Sequence, residues 1–170
     1  DYEMIQRAEA FAAGAHYAVG QVRKYTGEPY ITHPIAVAQL VMDTDGATTD
    51  MVVTALLHDT VEDTHVTSEV IAEIFGQKIA DYVAYLTETS KEDRPDLNRW
   101  ERKQVDAARI ASAPYEVQTV KYGDFVHNLS SVVERDPEFG KTYVAEKSMM
   151  LEIIDGGNAS LRQQAMEIIA

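Results

Sequence analysis

The chain contains no cysteine. Disulfides, zinc ribbons and cysteine nucleophiles are thereby excluded, and a reducing, cytoplasmic setting is the expectation. Positive charge is also scarce: 15 Lys and Arg stand against 28 Asp and Glu, a formal net charge of −13. A field of that sign repels a polyanionic duplex, so no nucleic-acid partner is expected. A small phosphorylated substrate stays compatible with it, given a local cluster of positive charge and a cation. No run approaches the roughly 18 consecutive apolar residues of a membrane span. Asp1-Tyr2-Glu3 lacks the basic start of a secretory signal, and no membrane partner is expected.

No segment alternates apolar and polar residues as a half-buried strand does, whereas three- and four-residue apolar steps recur along the chain. Ile5, Ala8, Phe11, Ala12, Ala15 and Val19 predict a helix over 3–19. Thr26-Gly27-Glu28-Pro29 is turn chemistry, and Pro34 suits the first turn of a second helix. Further helices are predicted over about 50–58, from Thr67 or Ser68 to Leu86 with an interruption at Gly76, and over 98–112, 114–134, 137–155 and 160–169. Residues 87–97, charged and polar with Pro95, read as a mobile surface loop. The expectation is an all-α, single-domain helical bundle over 1–170.

Against this background one stretch stands out. An apolar helix, Met51 to Leu57, runs straight into His58-Asp59 and then Glu62-Asp63. Packing does not call for a His-Asp pair there. A divalent cation does, because adjacent imidazole and carboxylate can both reach it, and the second acidic pair can then handle protons and water. His33, beside Pro34, is a third candidate ligand. Asp124 is a fourth, on an apolar stripe with Val117 and Val120 and with Asn128 one turn on. Two imidazoles and two carboxylates suit Mn²⁺, Fe²⁺ or Zn²⁺, and spacing does not choose among them. Asn128 could orient a water or a substrate oxygen. The structural alternatives are a capping or ion-paired Asp124 and a solvated Glu62-Asp63; His16, His65 and His127 take the structural reading.

Arg23-Lys24 is a local basic pair suited to phosphate oxygens. Arg99, Arg102, Lys103 and Lys121 are further candidates whose commoner fate is the surface. Tyr122 and Tyr143 could stack on a nucleotide, core packing or an exposed aromatic being the commoner outcome.

The blocks from His16 to Pro34, Ala55 to Thr64, Phe75-Gly76 and Val120 to Leu129 resemble, in order, those of the RelA/SpoT-type alarmone hydrolase domain. They span about residues 8–130, with C-terminal helices over about 137–169. Nothing that resembles a synthetase or regulatory domain follows, so the chain is similar to the stand-alone small alarmone hydrolases of the HD superfamily. That resemblance implies an HD-type helical fold and one Mn²⁺ held by His33, His58, Asp59 and Asp124. It implies water activation by Glu62 and Asp63. It assigns substrate contacts to Arg23, Lys24 and Asn128, and to Tyr143 where a family tyrosine approaches the nucleotide. The implied reaction removes 3′-pyrophosphate from (p)ppGpp or a relative such as (p)ppApp. The alternative is an HD-type phosphohydrolase acting on NADPH, a deoxynucleoside triphosphate or a nucleoside monophosphate. Tyr122-Gly123, where the family often has Leu-Ala, and the segment 87–98 depart from the family pattern.

Overall fold

A computed structural model describes residues 1–170 as helices joined by turns, as the apolar periodicity requires; an isolated bridge between Val22 and Pro29 is the one β-type pairing. The chain divides into two compact units, Asp1–Thr87 and Glu88–Ala170.

The first unit holds α1 (Tyr2–Ala18), α2 (Thr32–Met42), α3 (Thr49–Leu57), α4 (Thr60–Asp63), α5 (Ser68–Phe75) and α6 (Gln77–Leu86). Helix α3 is its centre. Thr48 caps it by accepting from the Met51 amide at 3.3 Å, and every residue from Met51 to Leu57 is buried. A helix apolar on all sides needs neighbours on all sides, and α1, α2 and α6 surround it. Phe11 of α1 meets Phe75 of α5 edge-on, with ring centroids 5.5 Å apart. Helix α3 stops at Leu57, whose carbonyl accepts from the Thr60 hydroxyl at 2.8 Å. The single turn α4 follows; periodicity did not indicate it, because four residues show no period.

The second unit holds α7 (Ser90–Asp93), α8 (Arg99–Ala111), α9 (Tyr115–Arg135), α10 (Pro137–Ile153) and α11 (Ala159–Ile169). Asn98 and Glu101 form a reciprocal capping box on α8. Helix α9 packs against α8, α10 and α11 and is the hub. Helix α10 ends at Ile153, two residues short of the expected Asp155, where the chain turns in against α9. The Tyr122 hydroxyl donates to the Ile154 carbonyl at 2.7 Å, and Gln118 Oε1 accepts from the Gly156 amide at 2.8 Å. A Cβ on Gly157 would lie 2.6 Å from the Tyr122 ring, so that approach requires glycine. Tyr122 is a fully buried core residue. The loop expected over 87–97 is instead partly helical: Ser90–Asp93 form α7, Ser90 is buried, and Glu88 pairs with Lys103 at 3.3 Å.

Candidate metal centre

Helix α3 delivers His58 and Asp59 to its C-terminal end, and the first turn of α2 delivers His33. Both histidines are buried. His58 Nδ1 lies 2.6 Å from the Ala55 carbonyl. A carbonyl only accepts, so Nδ1 carries the proton and Nε2 of the neutral ring carries the lone pair, the tautomer a metal ligand needs. That Nε2 lies 3.0 Å from Asp59 Oδ2, and His33 Nε2 lies 3.7 Å from the same oxygen. The two imidazoles meet with ring centroids 5.3 Å apart. Donor atoms of all three residues fall within 4.8 Å of one another. Buried electron pairs this close repel unless a cation or a proton lies among them. The donors are nitrogen and oxygen without sulfur, a set that fits a divalent ion of hard or borderline character.

Asp59 leads into α4, which carries Glu62 and Asp63 one turn on. One carboxylate oxygen from each of these three residues lies within 4.8 Å of the others. Glu62 is exposed and Asp63 half-buried, so this acidic pair has access to solvent.

Two supporting residues were not singled out from the sequence. The Tyr30 hydroxyl donates to Asp59 Oδ2 at 2.7 Å. The Gln21 amide donates from Nε2 to Asp63 Oδ2 at 3.2 Å. Tyr30 lies three residues before His33, a spacing that reports proximity but not direction. His16 takes the buried place expected of a structural residue, with its ring centroid 4.7 Å from that of Tyr30. Burial lowers its pKa; His58 and His33 act in the same direction, whereas Gln21 and Asp59 oppose. His65 is exposed and His127 half-buried.

Arg23 and Lys24 sit on the turn closed by the Val22–Pro29 bridge. The Arg23 guanidinium lies 5.9 Å from the Tyr30 ring centroid, and Lys24 Nζ lies 5.4 Å from that of Tyr25. A cavity of about 810 Å³ opens here, with His16, Gln21 and Tyr30 on its wall among apolar neighbours such as Val22 and Ile31. That size accommodates a small ligand.

In the second unit Asp124 is buried on α9 and its two oxygens have different partners. Lys121 Nζ lies 3.0 Å from Oδ2, and Asn128 Nδ2 donates to Oδ1 at 3.0 Å. The surface reading of Lys121 is wrong: it is buried, because α9 is the hub of its unit and its ammonium is matched by Asp124 and by the Phe125 face at 5.1 Å. Arg99 forms a two-point pair with buried Glu146, at 2.6 and 3.2 Å. Arg102 donates to the Leu97 carbonyl at 2.7 Å. Tyr143 lies on α10, its ring centroid 4.6 Å from Lys147 Nζ and 5.9 Å from that of Phe139.

The family model of the HD domain matches residues 8–151. A GTP pyrophosphokinase of Myxococcus xanthus is 38% identical over 138 residues, covering 78% of this chain and 17% of that protein. MESH1 of Xenopus tropicalis, a guanosine-3′,5′-bis(diphosphate) 3′-pyrophosphohydrolase, is 36% identical over 141 residues, covering 81% of this chain and 74% of that protein. The chain thus spans about a sixth of the bacterial relative and about three quarters of the frog one. Among solved structures, a metazoan ortholog of SpoT described as hydrolyzing ppGpp aligns with a TM-score of 0.84 at 24% identity, over 97% of this chain and 93% of that one. A crystal structure of a Listeria monocytogenes protein aligns with a TM-score of 0.65 at 29% identity, over 86% and 96%. No helix is long and apolar enough to cross a membrane.

Proposed function

We infer, since this chain belongs to the HD domain family, that it is a metal-dependent alarmone hydrolase removing 3′-pyrophosphate from (p)ppGpp or from an adenine counterpart such as (p)ppApp. The observation that carries the reading is the pair of buried imidazoles beside Asp59, with the His58 proton committed to the Ala55 carbonyl and its lone pair turned toward that carboxylate. The name of the Xenopus tropicalis relative supports the choice of substrate.

His33, His58 and Asp59 would hold the ion, Mn²⁺ in this reading, with Asp124 as the fourth ligand. The order of the sequence blocks supports Asp124, as does a family match that runs through both units. We take the two units to work as one HD domain in the cytoplasm, a setting that the lack of cysteine favours. When bound, the ion supplies positive charge against the departing pyrophosphate and acidity for a water.

The chain's own groups do the rest. Glu62 or Asp63 accepts the proton of the attacking water; both are within the acidic group around Asp59, and Glu62 is open to solvent. Hydrolysis adds water across the bond between phosphorus and the ribose 3′ oxygen, leaving GDP or GTP and pyrophosphate. Arg23 and Lys24 hold phosphates and supply the local attraction that a net charge of −13 lacks. Asn128 faces the ribose and phosphates, and Tyr143 approaches the nucleotide.

The test is the purified chain with Mn²⁺ against ppGpp, pppGpp, ppApp, NADPH and a deoxynucleoside triphosphate. Pyrophosphate release from an alarmone is expected. Turnover confined to NADPH or the deoxynucleotide would replace this reading with the broader phosphohydrolase one.

A further inference from the structure

Beyond the single bond from Gln21 to Asp63, His16 and Gln21 form a directed chain that ends on that carboxylate. The backbone explains why they meet. Helix α1 ends in a Schellman motif: the Gly20 amide donates to the Tyr17 carbonyl at 2.9 Å and the Gln21 amide to the His16 carbonyl at 3.1 Å. Gly20 has φ +68°, the left-handed conformation this closure needs, and a Cβ there would touch nothing, so its requirement is conformational alone. Such a motif brings the side chain of the residue after the glycine back over the last turn, where an apolar contact is usual. Here the contact is polar. His16 Nδ1 lies 2.7 Å from Gln21 Oε1.

The proton directions follow from the far end. Asp63 Oδ2 accepts, so the Gln21 nitrogen faces it and the amide oxygen faces His16. His16 Nδ1 therefore donates. Its Nε2 is buried with no hydrogen-bond partner, so the ring keeps the bond at Nδ1 at the expense of the one at Nε2. The titratable groups around this chain include Asp59, His33 and His58 on the His16 side, and Asp59 and Glu62 on the Asp63 side.

We propose that His16 and Gln21 are positioning residues: the imidazole locks the Gln21 amide in one orientation, and the amide holds the Asp63 carboxylate in place for proton transfer. The proposal rests on the hydrolase reading of Asp63. Neither residue touches the reacting atoms. A carboxylate that hands protons about needs a fixed direction but an undiminished charge, and a neutral amide supplies the first without cancelling the second.

The experiment uses the Mn²⁺-loaded chain and ppGpp. Gln21→Met is expected to lower kcat about 10-fold, with KM and Mn²⁺ affinity unchanged. Gln21→Glu places a second carboxylate where the amide stood, so one of the pair holds its proton to higher pH; the acid limb of the kcat/KM profile should move up by about one unit. His16→Asn, whose amide nitrogen stands in for Nδ1–H, should keep turnover within about 3-fold of the parent, while His16→Leu should match Gln21→Met. Should His16→Leu fail to fold, the metal-free parent decides: nitrogen NMR is expected to show a neutral ring with its proton on Nδ1, and the opposite tautomer would overturn the proposal. A Gln21→Glu enzyme with the parent pH profile would overturn it too, provided Asp63→Asn is inactive. Full turnover by Asp63→Asn would instead sink the role of Asp63 itself, and the proposal with it.

Discussion

The two units keep polar groups out of water in different ways. In the first, the side chains of the candidate metal centre have neutral groups among their partners: the Ala55 carbonyl for His58, the Tyr30 phenol for Asp59, the Gln21 amide for Asp63, while the Lys78–Asp50 ion pair lies apart from them. In the second, charges are matched by charges: Arg99 with Glu146, Arg109 with Asp106, Lys121 with Asp124. Neutral partners fix direction and leave charge to act elsewhere. Ionic partners cancel charge, and breaking one strands the other at high cost. The first arrangement suits a site and the second a scaffold; Asp124, with both Lys121 and Asn128 upon it, has a partner of each kind.

The largest expected effect tests the first half of that contrast. Asp59→Ala removes the oxygen that faces both imidazoles, so Mn²⁺ binding and turnover should be lost together. Free Mn²⁺ followed by electron paramagnetic resonance, alongside pyrophosphate release, reads both. A variant that still binds Mn²⁺ at the parent affinity would show that the three donors are a buried polar cluster and nothing more. Next in size, Glu62→Gln should leave Mn²⁺ bound and reduce turnover about 10²-fold, the usual worth of an acid–base group. Full turnover with Mn²⁺ bound would remove Glu62 from that role.

The second half of the contrast is tested at Lys147. Burial pulls the pKa of this lysine down to about 7, with Lys103 and Lys121 pushing the same way and Glu88 and Asp124 opposing. The unfolded chain holds the proton up to the ordinary lysine range, whereas the folded chain releases it near 7. The cost of burying the charge is therefore fully present below that pH and is relieved as pH rises toward 10. Between pH 7 and 9 the parent should gain on the order of 2 kcal/mol of stability from this group. Lys147→Met keeps an unbranched stem against Phe125 and Tyr143 and should lose that gain. Urea unfolding at the two pH values decides, and equal pH dependence in both proteins would mean that Lys147 is already charged and matched.

How much of this was legible in the chain depends on range. Helix α3 was, because seven consecutive buried residues leave an unmistakable apolar block before His58. His33, Asp59 and Glu62-Asp63 could be picked out as candidates too, since imidazoles and carboxylates beside an apolar block are conspicuous, and the fold does bring donor atoms of His33, His58 and Asp59 together. The partners that aim them were not. Tyr30 reaches Asp59 across 29 positions and Gln21 reaches Asp63 across 42, and no periodicity reports such contacts. The His16–Gln21 link had a local signal, a glycine one residue before Gln21, but it becomes readable only once the end of α1 is known. Lys121 looked like surface because lysine is rarely buried unpaired; its burial depends on a carboxylate one turn along the same helix and on the packing around α9.

The smallest expected effect is the sharpest probe of neutral support. Tyr30→Phe deletes one oxygen. The ring stays, so the contacts with His16 at 4.7 Å and His33 at 5.7 Å remain available and the fold should be preserved. What is lost is the donor to Asp59 Oδ2, the oxygen that also faces both imidazoles. Groups that orient a metal ligand are worth about 10- to 100-fold in metal affinity. Asp59 is already confined by its backbone at the end of α3, so the lower end is expected: about 10-fold weaker Mn²⁺ binding in a calorimetric titration. At saturating Mn²⁺ turnover should stay near the parent value, because the hydroxyl acts on the ligand oxygen of Asp59. Unchanged affinity would show that the α3 terminus alone aims Asp59, and the contrast between neutral and ionic support would then rest on Gln21.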